Sequence, residues 1–516
     1  MRRGCQQEMI DTPSQDHLAA LAEEQDSFRD ALVKLGFSDD GKTLRGSVPW
    51  TDESGNSHDA HVSVVIPDSF PFAPPLVTIM DVDAWFTPTF HIERNGQLCL
   101  WTNDIPVHDA PWRDPSQCID KISGWFTSTA NGWPDDEDAD LERYLPGSDD
   151  FVSYEDTLLK NGKYYRLTKN ALGVIRVDSE LPWIPSINRI KQRGVRRRER
   201  NLLWVLDVGI ISRPISNWSE LQRLAGNQLE TLRAIVQRGD LGFVLVRYQR
   251  GSRRAAIVVS LSRGPDGIVL KSCESADTGV ATRTLRTGIQ AHTYENKSVA
   301  IVGCGAVGSY IAELIFRSGI RHITLIDPER YRPGNVIRHT ADNKYVGVSK
   351  ASAVHAKLNT VGIPVDAVSA VNARVSTPEY ALELASSHDL VVDATADGRA
   401  TALLRWASET QDKALVSACV QREGAIVRVD RFPLEDGESH LDPLNTTGGE
   451  VVAYEQGCGS PVSMTPPLSV VRAASIACQV VLDELNRYQT LPATIVDVLK
   501  PQPESPYQRI GTVTSA

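Results

Sequence analysis

The chain has 516 residues, which at about 150 per domain predicts roughly three domains and excludes a single small module. Hydrophobic residues make up 41% and charged residues 23%, an ordinary globular composition that excludes disordered and collagen-like classes. With Lys+Arg at 54 and Asp+Glu at 65 the formal charge is -11, so neither nucleic acid nor an anionic membrane is an expected partner. Cys5, Cys99, Cys118, Cys273, Cys304, Cys419, Cys458 and Cys478 are scattered without a CxxC pair, which predicts free thiols in a reducing compartment. The start, MRRGCQQEMIDTPSQ, has no apolar stretch behind its arginines, and no apolar run reaches the ~18 residues of a membrane span, so a cytoplasmic location is expected.

Six of the ten tryptophans precede residue 134, setting the first part of the chain apart. Leu18, Leu21, Phe28, Leu32 and Leu35 recur at helical spacing and predict one helix over 17–35, with β-rich runs at 60–66 and 76–80. Pro71-Phe72-Ala73-Pro74-Pro75 then holds an extended bend between strands. His91, Asn95, Gly96 and the run GQLCLW with Cys99 come next, followed by PWRDPSQCIDKISGWF, a tryptophan-anchored loop entering a helix. The acidic run Asp135, Asp136, Glu137, Asp138 and Asp140 reads as solvated surface.

From 156 to 290 the strand runs NLLWVLDVGII, LGFVLVRY, AAIVVSL and GIVLKS surround one predicted helix. It starts at Asn217 with Glu220 three residues on, carries Trp218, Leu221, Leu224, Leu229, Leu232 and Ile235, and stops near Gly239. The basic stretch Arg189 to Arg200 reads as a solvated linker, and the tail 500–516 is expected to be loose. Beyond 297 strands and helices alternate, the α/β signature, and the predicted domains are 1–155, 156–290 and 291–516.

In the last of these, KSVAIV is a buried-strand pattern followed by GCGAVG and the helical SYIAELIFRSG. Gly303, Gly305 and Gly308 therefore form GxGxxG in its strand-to-helix context, and the next strand, HITLI, delivers Asp327. Glycines let helix N-terminal amides approach phosphate, and the carboxylate accepts from ribose hydroxyls. On these residues alone a dinucleotide and ATP fit equally. The segment DPERYRPGNVIRHTADNKYVGVSK separates them, because hydride transfer does not need Asn335, Arg338 and Lys350. Phosphate chemistry does, since charge building on an α-phosphate is offset by hydrogen bonds and two cations. DLVVDATADG reads as a buried strand ending in Asp397, a candidate Mg²⁺ ligand.

The spacing of Asp327, Asn335, Arg338 and Lys350 resembles the ThiF superfamily of sulfur-carrier adenylyltransferases and ubiquitin-activating enzymes, over roughly residues 280–490. The resemblance implies a Rossmann-like adenylation fold using ATP and Mg²⁺, with Asp327 on the ribose, Asn335, Arg338 and Lys350 on the phosphates, and Asp397 on magnesium. Thr395-Ala396-Asp397 is displaced by one residue from the family's threonine-aspartate-asparagine ending, and an upstream arginine would be Arg283 or Arg286. The resemblance also implies that Cys458, in VAYEQGCGSPVSM, is the thioester cysteine and that the chain is a homodimer. No structural zinc is expected, Cys304 and Cys419 are assigned to the core, and Cys478 lies within a helix pattern.

The order of the Pro71–Pro75 turn, His91, Gly96-Gln97-Leu98-Cys99-Leu100 and a downstream tryptophan resembles a ubiquitin-conjugating (UBC-fold) domain over about residues 15–150. It implies an α+β fold with Cys99 as carrier thiol. Where the family has histidine-proline-asparagine, this chain has His91-Ile92-Glu93, so the asparagine that supports the oxyanion is missing, with Asn103 or His108 as substitutes. The expected architecture is thus multidomain α/β and α+β: a UBC-like domain, a middle α+β linker domain and a ThiF-like adenylation domain.

The full order is similar to fusions in bacterial antiphage (CBASS) operons. That likeness implies activation of the C-terminus of a ubiquitin-like protein or a CD-NTase-type nucleotidyltransferase, passage through Cys458 and Cys99, and conjugation to an amine or protein acceptor. The alternative is a sulfur-carrier-protein adenylyltransferase whose N-terminal domain only binds.

Overall fold

The computed structural model describes residues 15–80, 89–93, 95–102, 105–133, 136–181, 202–238, 242–265, 267–444, 463–487 and 491–515. The fold is mixed α/β in two compact units, Met1–Gly279 and Val280–Ala516. No helix among the described residues is long and apolar enough to cross a membrane.

The first unit opens with α1 (Gln15–Lys34), where Phe28 and Leu32 are 3% and 0% exposed, whereas Leu18 near its start and Leu35 just past its end are 60% and 53% exposed. The predicted apolar stripe is therefore longer than the face that docks. β1 (Ser38–Asp39), β2 (Leu44–Thr51), β3 (Ser57–Val65) and β4 (Leu76–Ile79) form an antiparallel sheet in chain order. The Trp112 indole donates to Pro71 O at 2.8 Å, tying the proline turn to the later loop. Asp114 then caps α2 (Pro115–Ala130) by accepting from the Ser116 and Gln117 amides, and α2 buries Ile122, Trp125 and Phe126.

β5 (Gly147–Tyr154), β6 (Tyr164–Lys169), β7 (Ile175–Leu181), β8 (Leu202–Ile210), β9 (Phe243–Arg250), β10 (Arg253–Gly264) and β11 (Gly267–Asp277) close into a barrel in the order β10-β11-β5-β7-β6-β8-β9. β5 lies before residue 155 yet pairs with β11 from Gly147↔Ser272 onward, so the barrel draws in chain expected to belong to the preceding domain. Asn217 does cap a helix, accepting from Glu220 N at 3.0 Å, but the predicted single helix is two. α3 (Trp218–Leu224) stops before Gly226, whose φ of 51° leaves the helical region, and α4 (Leu229–Arg238) starts afresh. Both bury a leucine, Leu221 and Leu232, in the cluster that holds Trp204 and Val246.

The second unit holds β12 (Ser298–Val302), α5 (Ala306–Arg317), β13 (His322–Ile326), α6 (Lys350–Asn359), β14 (Val368–Val371), α7 (Pro378–Ser387), β15 (Leu390–Asp393), α8 (Gly398–Thr410), β16 (Ala414–Gln421), β17 (Ile426–Phe432), α9 (Pro467–Asn486), β18 (Thr494–Val498) and β19 (Gly511–Thr514). The sheet order is β14-β13-β12-β15-β16-β17-β18-β19, parallel through β16 and antiparallel beyond. Alternation along β12 sends Val299 and Ile301 to a core with α5 and α9, and Ala300 and Val302 to one with α7 and α8. Strand order reverses at β12, which makes the carboxyl ends of β12, β13 and β15 the place where a ligand crevice forms. The tail is not loose: β19 pairs with β18, and Tyr507 is 3% exposed.

Candidate functional site

At the end of β12 the three glycines have different reasons to be glycine. A Cβ on Gly303, which sits at φ +92°, would lie 2.7 Å from the Ala394 carbonyl, and one on Gly308 would lie 1.8 Å from Gly303 O. A Cβ on Gly305 meets nothing within 4 Å, although Gly305 is the residue that opens α5. Packing of the chain against itself therefore requires Gly303 and Gly308, while the bare backbone at Gly305 faces open space at a helix N-terminus, a place that favours anions.

Asp327, 5% exposed, braces this loop: Oδ2 accepts from Cys304 N and Oδ1 from Glu329 N, each at 2.8 Å. Burial pushes its carboxyl upward against those two bonds and Lys350. Its remaining lone pairs are free to accept from ribose hydroxyls. Asn335 ends a short turn, Pro333–Asn335, in which its Oδ1 accepts from Arg332 N at 2.9 Å, so it shapes the segment that carries Arg338.

The Arg338 side chain is half-buried and has neither hydrogen bond nor ion pair among the described residues; burial lowers its pKa. A desolvated cation without a counter-ion is costly, and an anion relieves that cost. Beside it His339, which sequence reasoning did not single out, is 7% exposed with an unpartnered Nδ1. Burial, followed by Lys350 and Arg338, pushes it down to about 3, leaving a neutral imidazole with a polar atom to satisfy. Lys350 begins α6 with its Nζ 2.5 Å from Glu329 Oε2. It is thus held in an ion pair with a carboxylate that is itself largely exposed.

Asp397 caps α8 by accepting from Arg399 N at 3.0 Å, a bond that lowers its pKa and keeps it ionised. Ala396 before it takes a left-handed φ of 54°, and Arg374 lies 3.9 Å from Asp397 Oδ2. A single carboxylate suits Mg²⁺ shared with phosphate oxygens, and no group of three or more metal-binding side chains occurs among the described residues. Asp393, 1% exposed and also missed from sequence, accepts from Thr395, Thr401 and Ser417 hydroxyls and holds the turn from below. Of the two upstream arginines, Arg283 donates to Gly362 O, while Arg286 is exposed. Cys304 is buried as expected, Cys419 is partly exposed rather than core, Cys478 is buried within α9, and Cys458 lies outside the described residues, as do Asn103 and Arg189 to Arg200.

In the first unit Cys99 is partly exposed. Ile92 bridges Leu98 across a tight turn in which Glu93 N donates to Gln97 O, so His91, Glu93 and Cys99 share the face opposite the buried Leu98. Glu93 Oε1 stands 3.4 Å from Cys99 Sγ and Arg143 Nη1 3.5 Å from it. The thiol is pushed up to about 11, by burial first and then by Glu93, with Arg143 opposing. His91 O accepts from both Cys99 N and the Trp125 indole, at 2.9 Å each. The His91 ring lies tilted against Trp133, centroids 4.3 Å apart, and its Nε2 lies 2.7 Å from Asp136 Oδ2.

The acidic run is therefore not merely solvated surface. Asp136 also binds Arg250 of β9, which is 4% exposed and lies 3.3 Å over the Phe90 ring, while Asp138 and Asp140 hold Arg143. His108, one of the two substitutes for the missing asparagine, has a side chain 79% exposed and, among the described residues, pairs only with Asp109. The group beside the sulfur is Arg143, which lies 44 residues further along the chain and carries no motif that would reveal it.

Residues 286–457 match the model of the ThiF family. The ATP-dependent ubiquitin transferase-like protein Cap2 of Enterobacter hormaechei subsp. hoffmannii is 26% identical over 244 residues, 44% of this chain and 39% of that protein. Cap2 of Escherichia coli is 30% identical over 146 residues, 27% of this chain and 23% of that protein. The tRNA threonylcarbamoyladenosine dehydratase of Bacillus subtilis is 28% identical over 167 residues, 30% of this chain and 59% of that protein. The matches thus span less than two thirds of these relatives' own lengths. Among solved structures, E. coli MccB with MccA-N7isoASN is 16% identical at a TM-score of 0.34, over 43% of this chain and 66% of that one.

Proposed function

We propose that the second unit uses ATP to activate the C-terminal carboxylate of a partner protein, and that the acyl group then passes through Cys458 and Cys99 to an amine. In this reading the partner carboxylate attacks the α-phosphorus of ATP, pyrophosphate leaves, and an acyl-adenylate forms. The Cys458 thiolate displaces AMP to give a thioester, Cys99 takes the acyl group by exchange, and attack by an amine frees the Cys99 thiol and leaves an amide.

Arg338, Lys350 and the amides at Gly305 hold the phosphates, Asp327 takes the ribose, and Asn335 sets the turn that presents Arg338. As the partner carboxylate attacks, Lys350 leaves Glu329 for the charge developing on the α-phosphate oxygens. Mg²⁺ held by Asp397 would supply charge neutralisation on the triphosphate. The partner is a ubiquitin-like protein or a nucleotidyltransferase with an accessible C-terminus, the setting is antiphage defence in the cytoplasm, and the enzyme is a homodimer.

The observation that carries this reading over an adenylyltransferase with a passive N-terminal domain is the Cys99 thiol with both a carboxylate and a guanidinium within 3.5 Å. A binding surface has no use for that arrangement. Intact mass under non-reducing conditions tests it, on wild type, Cys99→Ala and Cys458→Ala co-expressed with the neighbouring genes and supplied with ATP. A thiol-sensitive adduct that stays on Cys458 in Cys99→Ala and vanishes in Cys458→Ala is expected. An adduct on Cys458 with none ever detected on Cys99 refutes the relay.

A further inference from the structure

We propose that Glu93 and Arg143 are catalytic residues of the Cys99 centre, Glu93 moving the thiol proton and Arg143 holding the negative charge that builds on sulfur and on the carbonyl oxygen. The inference rests on the reading that Cys99 carries an acyl group and assigns to two further residues the work of the missing asparagine.

Glu93 stands where that asparagine is expected, and a carboxylate cannot stabilise an oxyanion. The short turn over Glu93–Gln97 aims it at the sulfur instead, with Oε1 3.4 Å from Sγ as the acceptor of the S–H. The cation comes from 44 residues further along the chain. Arg143 sits in a 3-10 turn, Glu142–Tyr144, its Nε and Nη2 at 3.2 and 3.0 Å from Asp140 and its Nη2 3.6 Å from Asp138. Those two carboxylates take one edge of the guanidinium and leave Nη1 directed at Cys99.

The charged and titratable groups around the sulfur are Glu93 and Arg143, with Asp138, Asp140 and Tyr144 behind Arg143. His91 contributes its backbone carbonyl to the Cys99 amide. With the thiol raised to about 11, the ground state is S–H, unreactive until a base is provided.

In the transfer step the Cys99 proton passes to Glu93 as sulfur attacks the carbonyl carbon of a donor thioester. The new C–S bond forms, the oxyanion pairs with Arg143 Nη1, and the donor C–S bond breaks. The departing thiolate takes the proton back from Glu93. In the second step Glu93 accepts the proton of the attacking amine and returns it to the Cys99 sulfur, so neither step needs an external acid or base.

The test uses the full-length chain. Peptide-resolved alkylation of Cys99 by iodoacetamide across pH is measured for wild type, Glu93→Gln, Arg143→Ala and Arg143→Lys, with thermal unfolding as the check on folding. Loss of an opposite charge in contact is worth about one pH unit or more, so Arg143→Ala should raise the midpoint by about that much and slow alkylation roughly tenfold near pH 8. Arg143→Lys should recover part of the loss, and Glu93→Gln should move the midpoint down.

Midpoints that coincide with wild type in both Glu93→Gln and Arg143→Ala overturn the proposal. The same variants are then scored for the Cys99 adduct in the ATP-supplied co-expression. A wild-type adduct whose formation is unchanged in both variants refutes the catalytic roles and leaves Cys99 as carrier. A wild type that never acquires the adduct, with Cys458 loaded, refutes the carrier reading and the roles together.

Discussion

Replacing Arg250 with methionine tests whether the barrel supports the Cys99 centre. The Arg250 side chain is 4% exposed, its Nη2 lies 2.7 Å from Asp136 Oδ2, and its guanidinium covers Phe90. Asp136 is also the partner of the His91 ring, and His91 fixes the Cys99 amide through its carbonyl. Breaking a buried ion pair costs about 3–5 kcal/mol, and an Asp136 side chain 20% exposed places this one near 3. At roughly 2–4 °C per kcal/mol for a unit of this size, the first unit should melt about 6–12 °C lower at pH 7.

The pH dependence has a definite sign. Burial raises the Asp136 pKa, hydrogen bonds from Arg250 and His91 lower it by more, and the net shift is downward from 3.8. The stabilisation is therefore complete above 3.8 and lost as pH falls through the lowered value, so wild type and Arg250→Met should converge in that range. Differential scanning calorimetry at pH 7 and in a series below pH 4 reads both effects. A shift under about 2 °C at pH 7, or a constant gap on acidification, refutes the reasoning.

Gly305→Ala should melt with wild type yet bind ATP at least about tenfold more weakly by calorimetric titration, because its Cβ meets no protein atom. Gly308→Ala should lose thermal stability as well, having a backbone oxygen in the way. Arg338→Ala should weaken ATP binding by about tenfold or more without lowering the melting temperature, since it removes a cation with no partner among the described residues. Wild type should lose stability relative to Cys99→Ala as pH rises from 9 through about 11, because the folded state retains a thiol proton that the unfolded state releases; matched pH-denaturation curves check this.

Much of the nucleotide site can be read locally. A GxGxxG between a strand and a helix, and a carboxylate at the end of the next strand, are contiguous patterns, and their geometry follows from backbone rules. His339 and Asp393 escaped because their importance lies in burial: one has an unpartnered nitrogen, the other a ring of hydroxyls drawn from β16 and α8. Helix ends were equally uneven. Asn217 announced its cap, whereas the break at Gly226 depended on a positive φ that a lone glycine inside an apolar pattern does not declare.

What the sequence determined by itself is the alternation of elements, the glycine loop, and the two candidate thiols, each set by residues adjacent in the chain. Tertiary structure decided that Gly147–Tyr154 belongs to a barrel, that the tail is a sheet edge, and that an acidic run binds His91, Arg143 and Arg250. Those outcomes depend on side chains and strands brought together from far apart in the chain, Asp136 and Arg250 being 114 residues apart. Charge patterning alone cannot distinguish a carboxylate facing water from one facing a buried guanidinium, because only the packed fold sets the local dielectric and the partner.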